Sequence, residues 1–199
     1  MRRRDDLIGP KLRSVLATLC LIVSPLASAL SIDDWLSETH QGRLYKTNMG
    51  ECVLENGQVI EACRLTFRTY GRLAPDLSNI VLMPTWLNGN AEGLSTYNYL
   101  GPDGIVDTDD YFVIAVNALG NGSSSSPSNS AQSPFPRFTI RDQVSLQHQL
   151  LTEHLDIEHL HAVVGASMGG YQTYEWLMMY PDFATHFVPI EGTPWYLSL

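Results

Sequence analysis

The stretch His161-Ala-Val-Val-Gly-Ala-Ser167-Met-Gly-Gly-Tyr-Gln-Thr-Tyr-Glu-Trp176 constrains the chain more than any other, because it sets a serine in a turn with a glycine two places away on each side. Before it, Leu160 to Val164 is a continuous apolar run that reads as a buried strand, and the residues after Gly169 read as a helix. A strand entering a G-x-S-x-G turn that opens a helix brings two backbones so close that a Cβ at Gly165 or Gly169 would collide. Ser167 is thereby lifted clear of the sheet edge, and the first amides of the helix behind it are free to meet negative charge. The same stretch read without chemistry is a glycine-rich turn that packs well. The strand and helix flanks favour a reactive serine.

Residues 1–29 combine a basic opening (Arg2, Arg3, Arg4, Lys11, Arg13), an apolar segment from Val15 to Val23 and Ala27-Ser-Ala29, the pattern of a secretory signal peptide with its cleavage site. The apolar part is too short to span a bilayer as a permanent helix. With the five basic and two acidic residues of this segment removed, the chain's 12 Lys/Arg and 21 Asp/Glu become seven and 19, a net charge of −12. Such a surface repels phosphate backbones and anionic lipid, which argues against nucleic-acid and membrane partners and fits an exported, secreted or periplasmic protein. Two cysteines then remain, Cys52 and Cys63, flanking the turn signal Glu55-Asn-Gly-Gln58. A turn at Gly57-Gln58 sets them directly opposite and a turn at Asn56-Gly57 sets them on a diagonal. A disulfide and a pair of small buried thiols are both open.

Residues 30–50 read as an N-terminal linker with a short amphipathic piece around Trp35. Cys63 to Tyr70 alternates apolar and polar residues, as a half-exposed strand does. Asn79 to Met83 and Tyr111 to Val116 are short and uniformly apolar, as strands covered on both faces are. The Ser/Gly/Pro/Asn-rich segment from Leu119 to Pro136 has no pattern, and a loop this long is either functional or disordered. Thr139-x-x-Asp142 is a capping box for a helix carrying Ile140, Val144, Leu151 and Leu155 at helical spacing. After Ser167 the helix is expected to bury Tyr171, Tyr174 and Leu177 or Met178 and to stop before Pro181. His186 to Ile190 is one more strand. Alternating strands and helices with buried strands predict an α/β architecture, a mostly parallel sheet with helices on both faces and reactive loops at the strands' carboxyl ends.

Several segments together resemble the homoserine O-acetyltransferase family of α/β-hydrolases: Phe67-Arg-Thr-Tyr-Gly71, Asn79-Ile-Val-Leu-Met-Pro-Thr-Trp-Leu-Asn-Gly89, Asp107 to Gly120, Phe135-Pro-Arg-Phe-Thr-Ile-Arg-Asp142 and Ala162 to Gln172. Their order and rough spacing run from about residue 50 to the end. The resemblance implies the α/β-hydrolase fold, its front half only, with 51–199 a partial domain lacking the lid and last strands. It implies that Ser167 is the nucleophile of an acyl-enzyme, that the Met168 N–H is the first oxyanion donor and that the second comes from the loop after Met83, at the N–H of Leu87. Trp86, Asn88 and Arg141 are the candidate substrate-binding side chains. A small-molecule acyl donor or ester substrate follows, acetyl-CoA among the donors. No cofactor and no metal are implied, and the oligomeric state is left open.

The chain departs from the family at three points. Thr85-Trp-Leu-Asn-Gly-Asn90 stands where the family reads like His-Ala-Leu-Thr-Gly-Asp. An export signal removes the protein from cytoplasmic acetyl-CoA and favours water as acceptor, an esterase-like reaction. The hydrolase triad runs Ser, Asp or Glu, then His, yet the residues after Ser167 offer only Asp182, His186 and Glu191, in positions that do not match the late loops supplying the partners. The 199 residues alone are accordingly expected to be inactive, and the alternative to an acyltransferase or esterase is a non-catalytic fragment or binding module retaining the fold. His159 and His161 read as strand-edge residues rather than metal ligands.

Overall fold

The central sheet runs β1-β2-β6-β3-β7-β8, with β3 (Ile80–Pro84), β6 (Phe112–Val116), β7 (Leu160–Ala166) and β8 (Ala184–Ile190) parallel and the hairpin β1 (Thr39–Val53) and β2 (Val59–Arg72) antiparallel at one side. The computed structural model describes residues 32–194, so the expected signal peptide 1–29 lies outside the described residues. Two short strands, β4 (Leu100–Gly101) and β5 (Val106–Asp107), form a separate parallel pair. Alternation along the parallel strands divides the core in two. Ile80, Leu82, Ile114 and Val163 face a layer containing Val144 and Trp176 of helices α3 (Ile140–Gln149) and α4 (Met168–Met179). Val81, Met83, Val113, Ala115 and Val164 face Ala91 and Leu94 of helix α2 (Ala91–Thr96) and the small sheet. Helices therefore cover both faces, which is why β3 and β6 have no exposed position.

The expected linker over residues 30–50 is not one. Helix α1 (Ile32–Trp35) precedes β1, whose residues from Thr39 onward belong to the sheet. The strand escapes a period-2 reading because glycines at positive φ, Gly42 and Gly50, sit where its register shifts. The inward set moves from His40 to Tyr45, Thr47 and Met49, and again to Cys52. Trp35 is buried against Tyr45, Phe67 and Phe112. The second hairpin arm is also more deeply buried than its alternation suggested, since Thr66 and Thr69 lie inside as well as Leu65 and Phe67.

The hairpin turn follows neither two-residue alternative. A loop from Leu54 to Gln58 is closed by the Leu54 N–H donating to the Gln58 carbonyl and the Gly57 N–H to the Leu54 carbonyl. Cys52 is paired with Ile60 and Cys63 with Gly50, so the cysteines stand diagonally across a bulge with their Cα atoms 5.7 Å apart, joined by a disulfide.

The serine-rich segment is neither patternless surface nor disorder. Only Phe67 to Tyr70 of β2 pair with β6, and the loop covers the rest of that edge. The Ser125 Oγ accepts from the Arg64 N–H, the Ser125 N–H donates to the Arg64 carbonyl, and the Ser124 Oγ accepts from the Thr66 N–H. The Gln132 amide then donates to the Val59 carbonyl. Short hydroxyl side chains suit this place because each can satisfy an unpaired strand amide without a parallel backbone. Thr139 and Asp142 close the capping box of α3, and a π-helical turn, Leu150–His154, extends that helix. Among the described residues no helix is long and apolar enough to cross a membrane.

The disulfide closes a loop of separation 11, for which chain-entropy arguments give about 3 kcal/mol. Cys52→Ala/Cys63→Ala is expected to lose that amount in denaturant titration, and an unchanged midpoint would remove the crosslink's contribution.

Candidate active site

Ser167 is the residue between β7 and α4, at φ 55° and ψ −118°, a left-handed conformation that an L-residue adopts at a cost of about 1–3 kcal/mol. The turn is held from both sides. The Ser167 N–H donates to the Ile190 carbonyl of β8 at 2.9 Å, and its carbonyl accepts from the Tyr171 N–H at 3.1 Å. No side chain would fit at the flanking glycines. A Cβ on Gly165 would lie 2.1 Å from the Gly169 carbonyl oxygen, one on Gly169 2.5 Å from that of Pro84, and one on Gly170 2.8 Å from that of Ile190. The carboxyl ends of β3, β7 and β8 thus converge on the first turn of α4. The Ser167 side chain is exposed and caps no amide of its own helix. The Met168 N–H lies in that first turn, where no carbonyl four residues back within the helix exists to bond it.

The loop after β3 stands on the same rim. Thr85 is fully buried, its N–H donating to the Val116 carbonyl and its Oγ1 accepting from the Ala118 N–H. Leu87 follows with its side chain 66% exposed. Downstream, the Asn121 amide donates to the Gly89 carbonyl and to the Asn117 Oδ1, which also accepts from the Ala91 N–H. From the other side the Gln172 amide of α4 donates to the Thr85 carbonyl at 3.1 Å. Both ends of the segment 85–91 are therefore anchored by buried amides.

The candidate substrate-binding side chains fare differently. Trp86 is half-buried against Tyr97 and Tyr99, with its indole over Gly89, where a Cβ would come within 2.1 Å of Nε1. It borders a hollow of about 360 Å³ together with Asn88, Glu92 and Tyr97, and Asn88 is exposed there. Arg141 reaches two carboxylates instead of the hollow: its guanidinium pairs with Glu175 of α4 at 2.9 Å and with Glu55 of the hairpin loop at 3.4 Å.

Asp182 and His186 are not brought to Ser167. Asp182 lies in the turn entering β8, and His186 pairs in register with Ala162, four residues before the Ala166–Ile190 pair, about 13 Å along the strand. His186 instead meets His161, ring centroids 5.2 Å apart, and His161 packs on Tyr111. Burial, and then the neighbouring imidazoles of His186 and His159, hold the His161 pKa below the usual value. Among the described residues no group of three or more His, Cys, Asp or Glu side chains is gathered where a metal could sit.

The helix after Ser167 turns a different face inward from the one its aromatics suggested. Gly169, Gly170, Gln172, Thr173 and Trp176 are buried, while Leu177 and Met178 are exposed. The polar members were the ones missed, with Asn117 and Asn121. A glutamine three residues beyond Gly169, on the glycine face, was the available signal.

The crowding at the elbow has a measurable cost. Gly165→Ala must displace backbone and is expected to lose about 3 kcal/mol or more, whereas Gly57→Ala, with nothing within 4 Å and φ +80°, should lose about 1 kcal/mol. Equal losses in thermal denaturation would refute the close approach.

Residues 79–197 match the family model described as the alpha/beta hydrolase fold. The ethyl acetate hydrolase of Pseudomonas veronii is 40% identical over 166 residues, covering 81% of this chain and 47% of that protein. The homoserine O-acetyltransferase of Methanococcoides burtonii is 36% identical, covering 75% and 34%. Among solved structures, an acetylester hydrolase from Corynebacterium glutamicum is 41% identical and superposes with a TM-score of 0.71 over 76% of this chain and 44% of that one. The chain spans about half the length of most of the relatives it matches. It belongs to the α/β-hydrolase fold family, and its relatives there are ester hydrolases and homoserine O-acetyltransferases.

Proposed function

We propose that this protein hydrolyses small acyl esters through an acyl-enzyme on Ser167, with the Met168 and Leu87 N–H groups receiving the oxyanion. The observation that carries the reading is the strained, exposed Ser167 at the start of α4, on the rim that also bears the loop after β3. Attack by the hydroxyl on the ester carbonyl places negative charge on the carbonyl oxygen. A helix's first-turn amide and a fixed loop amide stabilise that charge more than they stabilise the neutral ester. Expulsion of the alcohol leaves acyl-Ser167, and water in place of the alcohol completes hydrolysis. Water is favoured over homoserine as acceptor by the higher identity to the ester hydrolases, 40% against 36%. The same choice is supported by the pattern of residues 1–29, read here as an export signal that takes the chain away from acetyl-CoA. The hollow beside Trp86 and Asn88 is a candidate seat for one end of the ester. A base for Ser167, and the carboxylate orienting it, come on this reading from polypeptide other than residues 32–194. Without them most of the catalytic advantage is lost.

The full-length protein is expected to release p-nitrophenol from p-nitrophenyl acetate and Ser167→Ala to reduce the rate at least about a thousandfold. Incubation with acetyl-CoA and homoserine should liberate no CoA. Wild-type turnover by Ser167→Ala would end the serine mechanism, and CoA release dependent on homoserine would make the protein an acyltransferase. Export is part of the proposal, with cleavage after Ala29. The secreted protein should begin at Leu30 by N-terminal sequencing, and an intact Met1 terminus would contradict it.

A further inference from the structure

Behind the serine lies a line of buried amides whose directions are all determined. Gln172 and Trp176 are wholly buried and Gln147 is 2% exposed. An indole N–H can only donate, so the Gln147 atom that meets Trp176 Nε1 at 2.9 Å is Oε1. The Gln147 Nε2 is then left to donate, and it meets Gln172 Oε1 at 2.6 Å. Gln172 in turn has only Nε2 to offer, and its acceptors are main-chain carbonyls, of Thr85 at 3.1 Å and of Met168 at 3.3 Å. With a donor-only group at one end and acceptor-only groups at the other, neither amide can reverse without losing a buried bond.

The two carbonyls at the end of this line belong to the two halves of the proposed oxyanion site. Thr85 O is on the peptide unit immediately before the one that carries the Leu87 N–H, in the loop after β3. Met168 O is on the residue whose own N–H faces the site from α4. We propose that Gln172 is a positioning residue for acyl transfer: by holding the Thr85 and Met168 carbonyls on one amide, it sets the separation of the Leu87 and Met168 N–H groups. The idea rests on the reading of Ser167 as nucleophile. It assigns Gln172 a duty distinct from packing, because a methionine of similar volume fills the space and cannot donate. Displacement of an oxyanion donor by a fraction of an ångström costs rate while leaving ester binding intact.

The test uses the full-length protein with p-nitrophenyl acetate, and with trifluoroacetone as a probe whose adduct on the serine bears a tetrahedral oxyanion. Gln172→Met is expected to lower kcat by about tenfold or more with KM within about twofold, and to raise the inhibition constant of trifluoroacetone by the same factor as kcat/KM falls. Gln172→Glu removes the donor when ionised and restores it when protonated, since the neutral carboxyl can donate to Thr85 while accepting from Gln147. The ratio of its kcat to that of the parent should therefore rise as the pH is lowered. If Gln172→Met yields no folded protein, this pH dependence carries the test. Gln147→Met should be milder, and the double variant no worse than Gln172→Met alone. Parental kcat in both Gln172 variants overturns the proposal, as does a loss of thermal stability with the trifluoroacetone constant and the kcat ratio unmoved by variant or pH. Hydrolysis that survives Ser167→Ala removes the nucleophile itself. An inactive Ser167→Ala beside unaffected Gln172 variants removes only the positioning role.

Discussion

Three backbone-to-backbone approaches hold the rim around Ser167 together. Gly165 rests on the Gly169 carbonyl, Gly169 on that of Pro84, and Gly170 on that of Ile190. Each contact joins α4 to a different parallel strand, β7, β3 and β8 in turn. Because no side chain intervenes, the helix starts at a position fixed by main-chain van der Waals radii rather than by adjustable packing. The left-handed serine is the consequence. A chain leaving β7 and entering a helix at that distance has to pass through positive φ, and it does so at the one residue whose side chain is then turned outward. Interactions elsewhere, including the hydrogen bond from Ser167 N–H to Ile190, stabilise a path that the glycines have already made unavoidable.

Much of this was legible in the residues. The buried strands at 80–84, 112–116 and 160–166, the capped helix from Ile140 and the strand-turn-helix at Ser167 all follow from apolar runs and end signals that depend on neighbours in sequence. What escaped depends on neighbours in space. β1 was hidden because its bulges shift the inward set twice, so that no single alternation survives. The hairpin loop was misjudged because the same bulges, not a two-residue turn, set the register of Cys52 against Cys63. The serine-rich segment looked patternless because its order comes from the unpaired edge of β2, fifty and more residues earlier. Arg141 offered a charge, but its carboxylate partners arrive from Glu55 and Glu175, one on the hairpin and one on the next helix.

The site divides in the same way. The serine and the glycines around it form a local motif, readable at a glance. Their supports are polar residues spread over the chain: Asn117 and Asn121 after β6, Gln147 on α3, and Thr85 and Gln172 across the junction. Buried amides of this kind are costly unless every donor and acceptor is met. In exchange they specify one arrangement, where an apolar filling would tolerate several. The rim around Ser167 is thus polar behind and bare in front, which keeps its shape fixed.

The outer strand of the described sheet contains a proline whose place has a further meaning. Ile190 turns its carbonyl toward Ser167, so its neighbour Pro189 faces away from β7, toward the open side of β8. A proline has no hydrogen there to give. Any polypeptide laid along this margin finds the ladder interrupted one rung short of Ser167. Two copies of the chain cannot zip uninterrupted along this border, and whatever does settle against it forgoes one ladder bond beside Ser167.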